Sequence, residues 1–323
     1  QQLTCRVAIN EHRISATQPL PRWVLREFPS PLDQFMAATL PGTTRAALWM
    51  TICIVLFSAM TVLIRFLTDD SIPVHQIIFV RGVVSVALLV PWFARQGLQA
   101  LVTRRMTLML SRGALTSIGL VLWIYALSRI PLAEAVALHF TLPLFGVVLA
   151  IIILGERLNI HRWVGTAVGF SGTLVILRPG LEAVDLVSLV VLISALAYAG
   201  TGILTKILVR TESSAAIVFY VSAFTAVAFA IPCLFDWAAP TTLQWTMLVS
   251  IGVLNVLGQS CMNRSFAAAD ASFVMPFDFL RLPFAAAAGF FLFSEVPDFW
   301  TILGAVIIFG ATYYVTWQER RSH

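Results

Sequence analysis

Charge is what this chain has least of. Only 11% of its 323 residues are Asp, Glu, Lys or Arg, against about 25% in soluble globular domains, while 59% are hydrophobic. Soluble packing cannot absorb that much apolar surface, so a water-soluble enzyme or nucleic-acid-binding domain is excluded. Cysteine is scarce as well: Cys5, Cys53, Cys233 and Cys261 form no C-x-x-C or Cys/His ligand spacing. Neither a disulfide framework nor a zinc site is supported, and the last three read as small buried hydrophobes. No GxxxxGK[ST] loop is present, which removes ATP hydrolysis by this chain. H-E-x-x-H and D-D-x-x-D are missing too, which argues against an intramembrane acyl or prenyl transferase. No apolar h-region follows a basic start, so a cleavable signal peptide is not expected.

Long apolar runs take the place of charge. Ten stretches, over residues 46–67, 74–93, 107–127, 132–154, 160–177, 184–208, 215–235, 243–263, 271–293 and 299–317, are expected as helices. A bilayer core of roughly 30 Å takes about 20 apolar residues per helix, so each reads as a membrane span. The stretches fall into two sets of five with recurring landmarks. Gly113 and Gly252, Gly119 and Gly258, Phe140 and Phe279, Phe145 and Phe284, Glu156 and Glu295, and Gly165 and Gly304 all stand 139 residues apart. Five is an odd number of spans, so the second copy enters the membrane from the opposite side. Inverted repeats mark secondary transporters, whose substrates sit near the midplane between the halves. The expected fold class is all-α integral membrane: ten transmembrane helices as two inverted five-helix repeats, 46–180 and 184–318. A polar, Pro-rich tail over 1–45 precedes them and reads as disordered. The chain does not begin with Met, and Met36 would open a more usual terminus.

Lys and Arg gather in the loops of one side. Arg22, Arg26 and Arg45 precede the first span, and Arg95, Arg104 and Arg105 precede the third. Arg157 and Arg162, Lys206 and Arg210, Arg264, and finally Arg320 and Arg321 continue the series. The alternate loops hold Asp69 and Asp70, Arg129, Arg178 with Glu182 and Asp185, Asp236, and Glu295 with Asp298. The positive-inside rule then puts both termini in the cytoplasm, as an even span number requires. The net charge of +5 is therefore a topology signal, and no nucleic-acid partner is expected.

An ionisable group within a span is costly unless it is paired or faces water, so each is a functional candidate. His139 in the fourth span and Asp278 in the ninth are 139 apart, which inverted repeats would bring to similar depth. Pro143 frees the carbonyl of residue 139, and Pro276 and Pro283 bracket Asp278 in PFDFLRLP. Helices broken near the midplane present backbone groups to substrate, water or side chains. Asp278 and Arg281 could hold the two ends of a zwitterion, or simply neutralise each other on one helical face. His139 could line the path, relay protons as a coupling site, or pack as an ordinary buried histidine.

The remaining candidates carry similar alternatives. Arg81, whose repeat partner is Tyr220, either faces the cavity or snorkels outward. Asn255 and Gln259 share a helix face and either bind substrate or join helices. Trp123 and Tyr125 offer rings for stacking, though an aromatic in a span usually packs. Arg65, Arg112, Arg129, Lys206 and Arg264 lie near span ends and are expected to snorkel. Glu156 and Glu295 are expected in turns, on opposite sides of the membrane. Gly165, Gly169 and Gly172, and the run Ala285–Gly289, suit close helix packing.

Residues 126–180, ALSRIPLAEAVALHFTLPLFGVVLAIIILGERLNIHRWVGTAVGFSGTLVILRPG, resemble the second half of an EamA domain. From Ser265, SFAAADASFVMPFDFLRLPFAAAAGFFLFSEVPDFWTILGAVIIFGATYYVTWQER resembles the same element again. Two EamA domains in tandem build the ten-helix drug/metabolite transporter superfamily, and the resemblance covers about 45–318. Within it, FTLPLFGVVLA and VMPFDFLRLPFAA are most similar to bacterial S-adenosylmethionine-type uptake carriers; related carriers are associated with amino acids, riboflavin and opine-type metallophores. The resemblance implies a secondary transporter in a bacterial inner membrane, not an enzyme. Its substrate would be a small polar or zwitterionic metabolite, such as S-adenosylmethionine or an amino-acid derivative. The lipid bilayer and a coupling proton or counter-substrate are the other expected partners, and no cofactor is implied. A non-transporting receptor or scaffold would not need the doubled repeat.

Overall fold

The computed structural model describes residues 40–96, 101–103, 105–127, 129, 138–156, 160–177, 186–284 and 299–321. Among these residues there is no strand, and ten helices follow in order. They are α1 Gly42–Asp69, α2 Val74–Gln96, α3 Met106–Leu127, α4 Leu142–Leu154, α5 Ile160–Leu177, α6 Leu186–Leu208, α7 Ser214–Phe235, α8 Thr242–Ala268, α9 Ala271–Val274 and α10 Phe299–Arg321. The chain continues from α9 as a 3-10 segment, Met275–Leu280. Helices α1, α2, α3, α6, α7 and α8 are long and apolar enough to cross a membrane, and Leu142–Leu154 and Ile302–Val315 are shorter apolar helices. Residues 1–39 of the tail, 132–137 of the fourth span and 285–293 of the ninth lie outside the described residues. So do Arg104, Arg157, Arg178, Glu182, Asp185, Glu295 and Asp298.

Burial runs opposite to that of a soluble protein. Ile152, Leu186, Val227, Leu234 and Phe235 are exposed, whereas Gln76, Ser85, Thr166, Ser194, Thr205, Asn263 and Ser265 are fully or nearly fully buried. An apolar exterior suits lipid, and polar groups within must then find partners inside the bundle. Ser85 Oγ donates to the Arg81 carbonyl and accepts from Asn255 Nδ2. Ser194 Oγ donates to Gly119 O, Ser265 Oγ to Ala46 O, and Asn263 Nδ2 to Ser214 Oγ. Cys53, Cys233 and Cys261 are buried and not joined in disulfides.

Local sequence sets the helix ends. Thr241 and Gln244 form a reciprocal capping box at the start of α8, and Ser213 Oγ accepts from Ala216 N at the start of α7. Gly155 ends α4 at φ +65°, a conformation that favours glycine. Residues 138–139 are helical, the chain turns at Phe140 and Thr141, and α4 restarts with Pro143 in its first turn. The stretch expected as the fourth span is thus interrupted next to His139. The ninth is interrupted at the equivalent place by the 3-10 segment that opens with Met275-Pro276.

Helix neighbours follow the repeat. α1 packs on α8 and α6 on α3; α2 packs on α8 and α7 on α3; α2 packs on α7 and α5 on α10. Exchanging each helix for the one five places along leaves this set unchanged. The counterparts α2 and α7 run antiparallel, since His75 Nε2 at the start of α2 meets Asp236 O after the end of α7 at 2.8 Å. The same holds for α5 and α10, joined by His161 Nδ1 and Tyr314 Oη at 2.7 Å. Phe140 and Phe279, themselves repeat mates, stack at 6.1 Å with 19° between their planes. The repeated glycines make room for aromatics of the other half. A Cβ at Gly119 would lie 3.1 Å from the Tyr198 ring, and one at Gly258 would lie 2.5 Å from the Phe57 ring. Contacts of Gly42 with Ala268 and of His161 with Tyr314 put the start of α1 and the ends of α8 and α10 on one side, the terminal face.

Candidate substrate site

A polar and aromatic cluster sits where the two interrupted helices meet. The His139 ring lies 4.5 Å from the Trp123 ring of α3 and 5.5 Å from the Tyr198 ring of α6. His139 Nε2 is buried and has no hydrogen-bond partner, so this is not a histidine satisfied by a freed carbonyl. Arg81 of α2 stands within electrostatic range of Tyr198. Asp278 and Arg281 pair at 2.8 Å, with Arg281 Cζ 6.0 Å from the Phe57 ring centroid of α1. Arg281 is also within electrostatic range of His139 and Tyr198. Its side chain keeps 41% of its surface accessible, against 15% for Asp278, so the pair leaves guanidinium surface free. Arg81, Trp123, His139 and Tyr198 are half-buried. Two guanidiniums, one carboxylate and three flat rings are therefore gathered from both halves of the chain.

The other expected site residues have partners outside the ring cluster. Asn255 Nδ2 donates to Ser85 Oγ at 3.0 Å and joins α8 to α2. Gln259 Oε1 accepts from Arg112 Nη2 at 3.0 Å. Tyr220 Oη donates to Leu101 O, near the terminal face. Tyr125 is 45% exposed, with Arg129 Cζ 5.2 Å above its ring, so it faces outward.

Two expectations of snorkelling are corrected. Arg112 is 0% exposed, because its side chain turns inward to Thr205 of α6 and Gln259 of α8. Lys206 is buried too, and its ammonium donates to the carbonyls of Phe266 and Ala269. Nearness to a helix end in sequence says nothing about whether a side chain faces lipid or a neighbouring helix. Arg264, by contrast, lies over the Trp49 ring at 4.8 Å.

On the terminal face, Glu156 fastens the halves together. Its carboxylate accepts from Ala271 N at 2.8 Å, from Ser272 N at 2.9 Å and from Ser272 Oγ. Those amides open α9, where a carboxylate satisfies unpaired donors and complements the helix dipole. Arg162 Nη1 donates to Ser272 Oγ at 2.6 Å, and Nη2 pairs with Asp270 at 3.1 Å. Glu156 thus belongs to a turn that ties the end of α4 to the start of α9.

The model of the EamA-like transporter family matches residues 44–178 and 186–317. The chain belongs to this family. Curated relatives match over most of its length. The S-adenosylmethionine uptake transporter of Rickettsia bellii is 32% identical, over 85% of this chain and 94% of its own. The riboflavin transporter of Rhizobium johnstonii is 31% identical, over 85% and 92%. The pseudopaline exporter of Pseudomonas aeruginosa is 33% identical, over 78% and 89%. A solved crystal structure with 17% identity aligns at a TM-score of 0.74, covering 87% of this chain and 99% of its own, which supports the fold. This EamA chain is a multi-pass membrane transporter rather than an enzyme, and its substrate is a small molecule.

Tyr198 and Phe57 are members of this cluster that sequence reasoning did not single out. For the two rings a signal existed, since Gly119 and Gly258 repeat at 139 and each accommodates an aromatic of the opposite half.

Proposed function

We propose that this chain is a secondary transporter of a bacterial inner membrane, crossing the bilayer ten times as two inverted five-helix repeats. The antiparallel packing of counterparts α2 and α7, and α5 and α10, supports the inversion. Arg45, Arg105, Arg162, Lys206 and Arg210 gather toward the terminal face and Asp69, Asp70 and Asp236 lie opposite, which favours cytoplasmic termini.

The substrate assigned to it is a small zwitterion that carries a planar ring, with S-adenosylmethionine first. The observation that carries this reading is the convergence of the Asp278–Arg281 pair with the Trp123, His139 and Tyr198 rings. Asp278 takes the ammonium, Arg281 and Arg81 take the carboxylate, and the rings flank the base. Transport then rocks one repeat against the other, and the Glu156 turn opens when the terminal face opens.

The test is counterflow of radiolabelled S-adenosylmethionine in proteoliposomes, comparing the native chain with Asp278→Asn. Saturable counterflow, reduced at least about tenfold in the variant, is expected, since a lost charge-assisted contact costs roughly 1.5–3 kcal/mol. No flux by the native chain overturns the substrate. Riboflavin flux indifferent to Asp278→Asn would assign the rings to a neutral flavin instead.

A further inference from the structure

A third guanidinium lies between the central cluster and the terminal face. Arg112 is 0% exposed. Its Nε donates to Thr205 Oγ1 at 2.7 Å and its Nη2 to Gln259 Oε1 at 3.0 Å, while Nη1 is buried without a partner. Among the described residues no carboxylate pairs with it. A guanidinium cannot be deprotonated in a protein, so an unpaired one in a bilayer-spanning bundle is costly and marks a functional site. Joining α3 to Thr205 and Gln259 needs no charge, because a neutral amide would serve both as well.

The place of Arg112 in the bundle gives its cost a purpose. Trp123 is 11 residues along α3 and Tyr198 is 7 residues from Thr205 along α6, so the Arg112 layer sits roughly 10–16 Å from the ring cluster, toward the terminal face. Lys206, the residue after Thr205, continues toward that face. The hydroxyls of Thr116 and Thr201, 3.5 Å apart, lie one turn from Arg112 and Thr205 respectively. The Thr116 and Thr201 hydroxyls thus lie along α3 and α6 between Arg112 and the ring cluster.

We propose that Arg112 Nη1 is a carboxylate-binding station on the transport path, occupied when α3, α6 and α8 part toward the terminal face. The ligand class is the carboxylate end of a small zwitterion, with Thr205 and Gln259 holding the guanidinium in place. This deepens the functional reading above and rests on a carboxylate-bearing substrate.

The experiment compares S-adenosylmethionine with its decarboxylated analogue as competitors of counterflow in proteoliposomes. In Arg112→Gln, the apparent affinity for S-adenosylmethionine is expected to fall roughly 10- to 100-fold, with the analogue unchanged within about twofold. An equal loss for both compounds, or a loss for neither, overturns the station. If the native chain carries no S-adenosylmethionine, the substrate reading fails by itself, and acetate tests the station in detergent. The melting temperature of the native chain should rise with sodium acetate at constant ionic strength, and that of Arg112→Gln should stay flat. Coinciding curves overturn the proposal. If Arg112→Gln cannot be purified, Arg112→Lys replaces it: a weaker acetate response supports the station and an unaltered one overturns it.

Discussion

A histidine nitrogen buried without a hydrogen-bond partner is costly unless a ligand completes it. His139 Nε2 is such an atom, beside an indole and a phenol. Trp123→Ala removes the larger ring and should raise the KM for S-adenosylmethionine roughly 5- to 30-fold, since stacking on an aromatic is worth about 1–2 kcal/mol per base. Tyr198→Phe keeps the ring and should leave KM within about twofold. Uptake titrations of the two variants check both statements, and equal KM values in Trp123→Ala and the native chain would remove the ring from the site. His139 and Asp278 were legible in the sequence because ionisable groups stand out in apolar spans and these two share the repeat spacing. Tyr198 and Phe57 were only half legible: the repeated Gly119 and Gly258 mark room for a ring, but an aromatic that lines a site and one that packs look alike in sequence. Arg112 was misplaced because depth within a bundle depends on which helix face a residue occupies, not on its distance from a helix end.

Helices carry the conformational part of the reading. The stretches expected as the fourth and ninth spans are interrupted at matching places, and Glu156 ties the end of α4 to the amides that open α9. Glu156→Gln weakens that tie by roughly 1.5–3 kcal/mol, the range for hydrogen bonds to charged groups. A cysteine at Met275, in a chain whose other cysteines are Ser, should then react with maleimide about tenfold faster from the terminal face. Unchanged labelling would show that the turn does not control access. Gly258→Ala places a methyl group 2.5 Å from the Phe57 ring, so Phe57 must shift. A loss of about 1–3 kcal/mol of stability and of most uptake is expected. Gly310→Ala meets nothing within 4 Å and should leave both unchanged; melting temperature and uptake report the difference. The proline interruptions and the packing glycines were readable from residue type and spacing. The tie at Glu156 was only half readable, since a carboxylate after a helix suggests a turn but cannot name the amides it meets.

At the scale of the whole molecule, the exchange of helix partners between halves and the antiparallel packing of counterparts give the bundle a top and a bottom that differ mainly in charge. Single cysteines at Thr211 and Ala239, both exposed on opposite faces, should separate in intact cells. An impermeant reagent is expected to label Ala239→Cys and spare Thr211→Cys. The all-helical class and the doubled pattern were readable from hydropathy and repeat spacing, and the family matches twice along the chain; of the ten expected spans, six are long and apolar enough to cross a membrane among the described residues. Which helices touch was not readable, because lipid-facing and partner-facing sides of such apolar helices are nearly identical in composition. The central claim is that substrate binds between the halves, touching both. Its most direct test places single cysteines at Phe57 in the first repeat and Tyr198 in the second, and measures maleimide labelling with and without saturating S-adenosylmethionine. Protection at both positions is expected. Transport accompanied by equal labelling at both, with and without substrate, would contradict it.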